Sequence, residues 1–315
     1  MSTNETWTIG ELVRKIRTDQ GVTLQELSRG LCSAATLSRI EADERDMDMM
    51  MADAVFGRLG YSPDKFEIYT GPEELERYNL REQMIREKGE SEIPSLKRDM
   101  QQYYDRYGKK LSALEEQFLK EMEGFLAWKA GCLEEAERLI EEAVQITIPA
   151  EGDAWIRQAV LSEREMQLLV MLSDIYQGKG RKTDAFRLID QIFRHLDGSE
   201  RRKEQMTDLY VQVAGKLTSM YFSYGETEHA YEACKKALEL LKKTKKHRNL
   251  PEMMEWKGKC GEQLEQEGRL AKGFSRGSNI RAYYLYLAME KQEEAGRVKA
   301  HMEELGQLIC INEYE

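Results

Sequence analysis

The chain has 315 residues, of which 33 % are charged and 41 % hydrophobic, and only five are proline. This composition is typical of a soluble, mostly helical protein, because residues that interrupt helices are sparse. No run of about 18 uncharged apolar residues occurs, so we expect no membrane span. The net charge of −10 argues against nonspecific coating of nucleic acid but leaves room for a local DNA-reading surface.

The N-terminus lacks the basic start and apolar core of a secretion signal. The five cysteines are scattered and odd in number, which is typical of reduced thiols rather than a disulfide framework. We therefore expect a cytoplasmic protein.

The first 70 residues carry the signals of five short helices. Apolar residues at helical spacing predict a first helix that stops near Gly21. Thr23, with Glu26 three residues later, gives the capping-box signature of a second helix. Three further helices are predicted, beginning near Ser33, Met49 and Ser62.

Beyond Gly71 and Pro72 the chain becomes a long series of helices separated by regular breaks, so we place a boundary there, between domains 1–70 and 71–315. The second domain contains a degenerate repeat. In each unit, an alanine lies nine residues after the residue that we take as the reference. An apolar residue lies four residues after that alanine, and another lies three residues further on. The pairs are Ala127 with Ala136, Tyr176 with Ala185, Tyr221 with Ala230 and, more weakly, Tyr286 with Ala295.

These offsets predict helical hairpins, in which a small residue of the second helix lets it approach the first. The alanines of successive units are 49 and 45 residues apart, longer than the usual tetratricopeptide period of about 34 residues. The alternative is a generic helical bundle. The predicted fold is all-α, a five-helix bundle followed by a right-handed α-solenoid of degenerate tetratricopeptide-like hairpins.

The segment from Ile16 to Arg45, IRTDQGVTLQELSRGLCSAATLSRIEADER, resembles the Cro/repressor-type helix-turn-helix of the XRE family. The resemblance covers residues 8 to about 66. It implies that Arg17 and Glu41 form a structural ion pair inside the bundle and that the third helix enters a DNA groove.

The third helix presents short side chains and one long cation outward, while Leu37 and Ile40 pack inward. Short side chains allow close approach to the groove, and methyl groups can contact thymine. The start of the second helix is placed for phosphate contacts. The predicted DNA-binding residues are Thr23, Gln25, Ser33, Ala34, Ala35, Thr36, Ser38 and Arg39.

The charge of this region opposes DNA binding. Residues 1–68 contain eight basic and twelve acidic residues, a formal charge of −4. Family members usually carry a glycine and basic residues after the recognition helix, whereas Ala42, Asp43 and Glu44 stand here. Sequence-independent affinity is therefore expected to be low. The alternative is that the bundle serves only as a scaffold.

The helix-turn-helix followed by tetratricopeptide-like hairpins resembles the RRNPP group of Gram-positive peptide-pheromone regulators. The resemblance implies a cytoplasmic homodimer that binds a double-stranded DNA operator and a short signalling peptide on its repeat surface. Helical spacing selects the side chains that face away from the packed alanines, and amides among them can hold a peptide backbone. The candidate peptide-binding residues are Gln167, Asp174, Gln177, Gln212, Lys216, Ser219, Phe222 and Trp128.

Signals for catalysis are weak. The four histidines stand alone, without a second ligand at metal spacing, and no hydrolase, zinc-protease or phosphate-loop motif occurs. We therefore expect no enzyme activity, no metal and no cofactor. The alternative function is a repeat adaptor that sequesters a regulatory protein without reading DNA.

Overall fold

A computed structural model of the chain describes residues 7–61, 71–148, 156 and 159–306. These ranges contain sixteen helices and no strand, which confirms the predicted all-α class. The chain divides into two compact units, Met1–Leu188 and Ile189–Glu315. The predicted functional boundary near Gly71 stays a prediction. None of the helices within the described ranges has the length and apolarity that crossing a membrane requires.

The N-terminal bundle consists of Ile9–Asp19 (α1), Leu24–Ser28 (α2), Ala34–Glu41 (α3) and Met49–Arg58 (α4). Each helix begins where a side-chain oxygen accepts a hydrogen bond from a free backbone N–H. The four capping residues are Thr8, Thr23, Ser33 and Asp48. Val13, Leu27, Leu37 and Phe56 are fully buried between these helices. The fifth predicted helix, from Ser62, lies outside the described residues.

The rest of the first unit is a series of longer helices. They are Pro72–Glu90 (α5), Ile93–Tyr107 (α6), Ala113–Lys129 (α7), Leu133–Thr147 (α8) and Glu163–Gly178 (α9). α5 packs against α6, α7 against α8, and α8 against α9. Lys182–Asp197 (α10) begins in this unit and ends in the second.

The second unit continues with Glu200–Gln205 (α11), Thr207–Ser223 (α12), Thr227–Thr244 (α13), Leu250–Gln266 (α14), Arg276–Ala288 (α15) and Gln292–Glu304 (α16). α12 and α13 form a hairpin, as do α15 and α16, and α14 packs against both α13 and α15.

The predicted hairpin turns all close with the same two backbone hydrogen bonds. After α9, Arg181 N donates to Tyr176 O at 2.8 Å and Gly180 N donates to Gln177 O at 3.0 Å. Gly180 has a φ of +78°. This is the Schellman motif, in which a left-handed residue ends a helix. Equivalent bonds end α7, α12 and α15, with Gly131, Gly225 and Glu290 in the left-handed position.

The Schellman motif explains the offset of nine residues. It fixes where the second helix starts relative to the reference residue, so the same residue of every second helix turns back toward the first. Those alanines, Ala136, Ala185, Ala230 and Ala295, are at most 1 % exposed. In two of the hairpins, a hydroxyl residue of the first helix contacts this alanine. Ser173 Oγ donates to Ala185 O at 3.1 Å, and Thr218 Oγ1 donates to Ala230 O at 3.4 Å. The predicted hairpin repeat is confirmed.

The α5–α6 pair is a hairpin of the same kind that the sequence pattern missed. Glu92 N donates to Glu87 O at 2.8 Å, and Ser91 N donates to Lys88 O at 3.2 Å. Ser91 takes the left-handed position with a φ of +58°. Leu96, nine residues after Glu87, is fully buried. The pattern was hidden because no glycine, aromatic or alanine marks it.

A buried ion pair joins the bundle to the repeat helices of the first unit. Arg58 and Glu165 have side chains only 2 % and 6 % exposed. Arg58 donates Nε–H to Glu165 Oε2 at 3.1 Å and Nη2–H to Oε1 at 2.6 Å. The remaining donors go to the carbonyls of Leu27 (2.9 Å), Arg29 (2.6 Å) and Thr147 (3.1 Å). All five guanidinium N–H groups are therefore used.

Gly30 allows this junction to close. It has a φ of +76°, and a Cβ added to it would lie 2.0 Å from Thr147 O. The link between α2 and α3 thus meets the C-terminal end of α8 backbone to backbone, which only glycine permits.

We expect Glu165→Gln to lower the free energy of unfolding by about 3–5 kcal/mol, because it leaves the Arg58 charge buried without its partner. The double variant Arg58→Met with Glu165→Met should stay destabilised, because methionine cannot donate to the Leu27, Arg29 and Thr147 carbonyls that Arg58 bonds. Urea denaturation measures both. The control is Glu76→Gln, since Glu76 forms a surface pair at 3.7 Å with Arg106 and should cost less than about 1 kcal/mol. Equal losses in Glu165→Gln and Glu76→Gln would contradict the assigned role.

The left-handed residues of the hairpin turns lead to a second prediction about stability. Gly225→Ala should destabilise the protein by about 1–2 kcal/mol, because alanine is strained at a φ of +77° although no atom crowds its Cβ. Glu290→Gly should stabilise it by up to about 1 kcal/mol, because Glu290 has a φ of +59°. Gly296→Ala, inside α16 with open space at the Cβ, is the control and should stabilise. Chemical denaturation gives all three values, and a stabilising Gly225→Ala would contradict the motif.

Candidate nucleic-acid interface and peptide-binding face

The predicted DNA-reading residues lie on the solvent side of α2 and α3. Leu37 and Ile40 are 0 % and 4 % exposed and point into the bundle core. The others on α3 and its cap are exposed or half-buried: Ser33, Ala34, Ala35, Thr36, Ser38 and Arg39. Thr23 and Gln25 are exposed at the start of α2. The structure therefore brings all eight residues onto two neighbouring helices.

Two of these hydroxyl groups cap a helix, and that of Thr36 bonds to one of them. Ser33 Oγ accepts the N–H of Thr36 at 3.0 Å and lies 2.9 Å from Thr36 Oγ1. Thr23 Oγ1 accepts the N–H of Glu26 at 3.2 Å, and the Glu26 carboxylate accepts the Thr23 N–H at 2.7 Å. The Thr23 N–H holds the pKa of Glu26 below its ordinary value. The caps therefore order both helix starts.

Arg39 is the long donor of this surface. Its side chain is exposed, and among the described residues it has no ion-pair partner. A guanidinium in this state can form a bidentate pair with a guanine edge without first breaking an internal contact.

Arg17 and Glu41 form a bidentate pair beneath the surface. Arg17 Nε lies 2.6 Å from Glu41 Oε1, and Nη2 lies 2.8 Å from Oε2. Arg17 Nη1 also donates to Val22 O at 2.9 Å. The hydrogen bond to Glu41 raises the pKa of Arg17. The pair links α1, the start of the helix-turn-helix and the last turn of α3, so its role is structural.

The acidic segment after α3 is in part a structural element. Asp43 has a φ of +55°, in the left-handed region that aspartate tolerates better than most residues. Thr8 Oγ1 donates to Asp43 Oδ2 at 2.6 Å. Gly10 lies close to the end of α3, because a Cβ at this position would lie only 2.0 Å from Ile40 O. Glu44 and Asp46 are exposed and have no ion-pair partner within the described ranges, so no ion pair offsets their charge.

The candidate peptide-binding residues of the first unit lie on α9 and α7. Gln167, Asp174 and Gln177 occupy one side of α9, with both glutamines exposed and Asp174 half-buried. Trp128 is half-buried at the end of α7, with its ring 6.2 Å from that of Phe125. This set offers amide donors and acceptors on one helix and an aromatic surface on another.

The candidate residues of the second unit lie on α12. Gln212 is exposed, while Lys216, Ser219 and Phe222 are half-buried. Phe222 contacts the edge of Trp256 on α14, with ring centroids 5.9 Å apart. Trp256 adds an aromatic surface that helical spacing within α12 could not reveal.

Charges of α14 and its surroundings act on the α12 set. Burial and the neighbouring Glu255 carboxylate raise the pKa of Glu252, and the ammonium groups of Lys291 and Lys216 oppose that shift. Lys216 therefore lies near a carboxylate whose pKa is raised.

The described part of the chain contains no group of three or more His, Cys, Asp or Glu side chains arranged to hold a metal ion.

Together these elements define a class of protein in which a helix-turn-helix bundle precedes tetratricopeptide-like hairpins. PlcR from Bacillus thuringiensis, in complex with the peptide PapR7 and DNA, matches with a TM-score of 0.56 at 14 % identity, covering 92 % of this chain and 98 % of that chain. Apo PlcR matches with a TM-score of 0.55 at 15 % identity, covering 92 % and 97 %. The apo form of RapI matches with a TM-score of 0.50 at 13 % identity, covering 93 % and 72 %.

At these identities the matches establish a shared fold, and they confirm the predicted resemblance to RRNPP-type regulators at that level. No protein-family model matches the sequence. No curated protein matches it significantly.

We expect Glu44→Lys with Asp46→Lys to strengthen binding to arbitrary DNA, because two new cations near the backbone release counterions. The log–log salt dependence should steepen by about two. Fluorescence anisotropy with random-sequence duplexes at several salt concentrations measures this. Glu232→Lys with Glu239→Lys on α13 makes the same charge change and serves as the control. An unchanged salt slope in the first variant would place this segment away from the DNA.

Proposed function

We propose that the protein is a sequence-specific DNA-binding transcription regulator whose repeat domain senses a short signalling peptide. The observation that carries the DNA-binding part is the exposed face of α3, with Arg39 projecting from it above the Arg17–Glu41 pair. Direct readout of a major groove requires a long hydrogen-bond donor flanked by short side chains on a well-fixed helix. The Arg17–Glu41 ion pair fixes α3 in this way.

The peptide-sensing part rests on the amide-bearing faces of α9 and α12. Glutamine side chains both donate and accept, so they can bind an extended peptide backbone whatever its sequence. Half-buried Trp128 and Phe222 supply apolar surface for peptide side chains. The fold shared with PlcR, a protein solved with both a peptide and DNA, supports the combination.

The Arg58 contact offers a route by which a peptide on α9 would affect DNA binding. Glu165 lies in the first turn of α9, and the Leu27 and Arg29 carbonyls lie at the end of α2. A shift of α9 that moves Glu165 therefore acts on the helix-turn-helix through one side chain.

We further propose a cytoplasmic homodimer without enzyme activity. Two bundles side by side would read two half-sites, and this offsets the low sequence-independent affinity of a bundle with a charge of −4. The acidic charge itself favours the second candidate, a repeat adaptor that sequesters a regulatory protein without reading DNA.

Selection of genomic fragments by the purified protein, followed by binding tests on the recovered site, separates the two candidates. Arg39→Ala should weaken binding to that site by about 1–3 kcal/mol, because it removes the long donor. Arg138→Ala, an exposed arginine on α8, is the control and should bind normally. Failure to recover any preferred sequence at low salt would favour the adaptor.

The peptide part is tested with synthetic peptide libraries screened for an effect on DNA binding. Gln212→Ala with Lys216→Ala should abolish the response to an active peptide and leave basal DNA binding intact. Lys97→Ala with Gln101→Ala removes the same two side-chain types at the same spacing from the exposed face of α6 and should respond normally. A normal response of the α12 variant would place the peptide elsewhere, for example near Arg281 and Tyr284.

A further inference from the structure

Two buried acidic side chains lie side by side where α5 packs against α6. Glu87 is 6 % exposed and Asp99 is 2 % exposed. The side-chain nitrogen of Gln83 donates to both, to Glu87 Oε1 at 3.3 Å and to Asp99 Oδ2 at 2.5 Å. Neither acidic residue belongs to the DNA-reading surface or to the candidate peptide-binding residues, so this pair has no role in the function proposed above.

One cation is bonded to the pair within the described residues. Arg98 Nε lies 2.9 Å from Asp99 Oδ1, and the Arg98 side chain is 68 % exposed. Water and salt screen an exposed charge of this kind. Two ionised carboxylates at this place would therefore share one weakly acting cation.

The cations of α5 beside this contact are engaged elsewhere. α7 packs against both α5 and α6 and presents two further buried carboxylates. Glu121 pairs with Lys88 at 2.5 Å, and Glu115 pairs with Arg77 at 2.9 Å. Lys88 follows Glu87 directly in the chain, but its charge is directed to α7. No ion pair among the described residues joins Glu87 itself to a cation.

Glu87 Oε2 indicates how the pair is completed. This oxygen is buried and accepts no hydrogen bond from a donor within the described ranges. A buried polar atom without a partner is costly. Glu87 lies within hydrogen-bonding reach of Asp99, and two carboxyl groups can bond to each other only when one of them carries a proton. A proton on Glu87 therefore supplies the missing hydrogen bond.

The electrostatic surroundings favour uptake of this proton. Burial raises the pKa of Glu87 and so does the Asp99 carboxylate, while the Gln83 hydrogen bond and the Arg98 charge oppose the shift. In the unfolded chain a glutamate titrates at about pH 4.3. Between that pH and the raised pKa, the folded protein binds a proton that the unfolded chain does not. This contribution to stability therefore grows as the pH falls, and it is lost as the pH rises through the raised pKa.

We propose that Glu87 and Asp99 form a proton-operated clasp, which takes up one shared proton under mildly acidic conditions and tightens the α5–α6 hairpin. A hydrogen bond between two carboxyl groups then replaces the repulsion between two like charges. α5 also carries Glu74, whose Oε1 accepts the N–H of Met49 at 2.6 Å. The helix that the proton fastens therefore also contacts the start of α4 in the N-terminal bundle.

Thermal unfolding of the full chain at constant ionic strength, between about pH 5 and about pH 7.5, tests the clasp. Glu87→Gln has the shape of the protonated side chain and keeps a donor for Asp99 at every pH. Its unfolding midpoint should exceed that of the wild type by about 2 °C at the higher pH, and the difference should vanish toward the lower pH. Glu82→Gln, at an exposed position of α5, is the control, and its difference from the wild type should not change with pH.

An NMR titration of isotope-labelled glutamate carboxyl carbons gives an independent readout. We expect the wild type to show a glutamate resonance that titrates above the ordinary glutamate range and that Glu87→Gln removes. Glu252, whose pKa is also raised, should give a second such resonance that the variant keeps. In Asp99→Asn the Glu87 resonance should move toward the ordinary range, because the neighbouring negative charge is gone.

Two results would overturn the clasp. One is that Glu87→Gln removes no resonance titrating above the ordinary glutamate range. The other is that the unfolding midpoint of Glu87→Gln follows the pH in the same way as those of Glu82→Gln and the wild type.

Discussion

The five hydrogen bonds of Arg58 hold the first compact unit together. Carbonyl groups at helix ends have no partner within their own helix, and Arg58 satisfies three such carbonyls from α2, the α2–α3 link and α8 with one side chain. Glu165 neutralises the charge and places the start of α9. The guanidinium is therefore more than an ion-pair member, because it also donates to three backbone carbonyls. The close backbone approach at Gly30 adjoins the Thr147 carbonyl that Arg58 bonds.

Much of the fold could be predicted from the sequence, because the signals for it are local. Capping boxes span three residues, and the hairpin repeat depends on a turn whose hydrogen bonds span five. The α5–α6 hairpin escaped because Ser91 adopts the left-handed conformation that glycine usually marks. The Arg58–Glu165 pair escaped for a different reason, since 107 residues separate its members and neither belongs to a periodic pattern. Local spacing cannot reveal a contact of that range.

The candidate site residues also divide into those that local spacing predicts and those that depend on contacts between helices. Helical spacing selected the outward face of α3 and the inward positions of Leu37 and Ile40, because both depend only on the turn of one helix. It could not show that Asp43 turns back to Thr8, since that contact joins two helices. The acidic segment therefore has two parts, one carboxylate that shapes the loop and others that stay exposed. The part played by Trp256 could not be predicted from spacing either, because it depends on the contact of its ring with Phe222 on another helix.

The hairpin turns have a consequence for how this protein can evolve. Their closing hydrogen bonds run between backbone atoms, and a single left-handed residue is their main demand on side chains. Even that demand is loose, as Ser91 and Glu290 replace glycine in two of the turns. Mutations can therefore accumulate on the exposed faces of the first helices without loosening the scaffold. A chain with this architecture can therefore change the chemistry of its exposed helix faces by surface substitution while its hairpins stay superimposable.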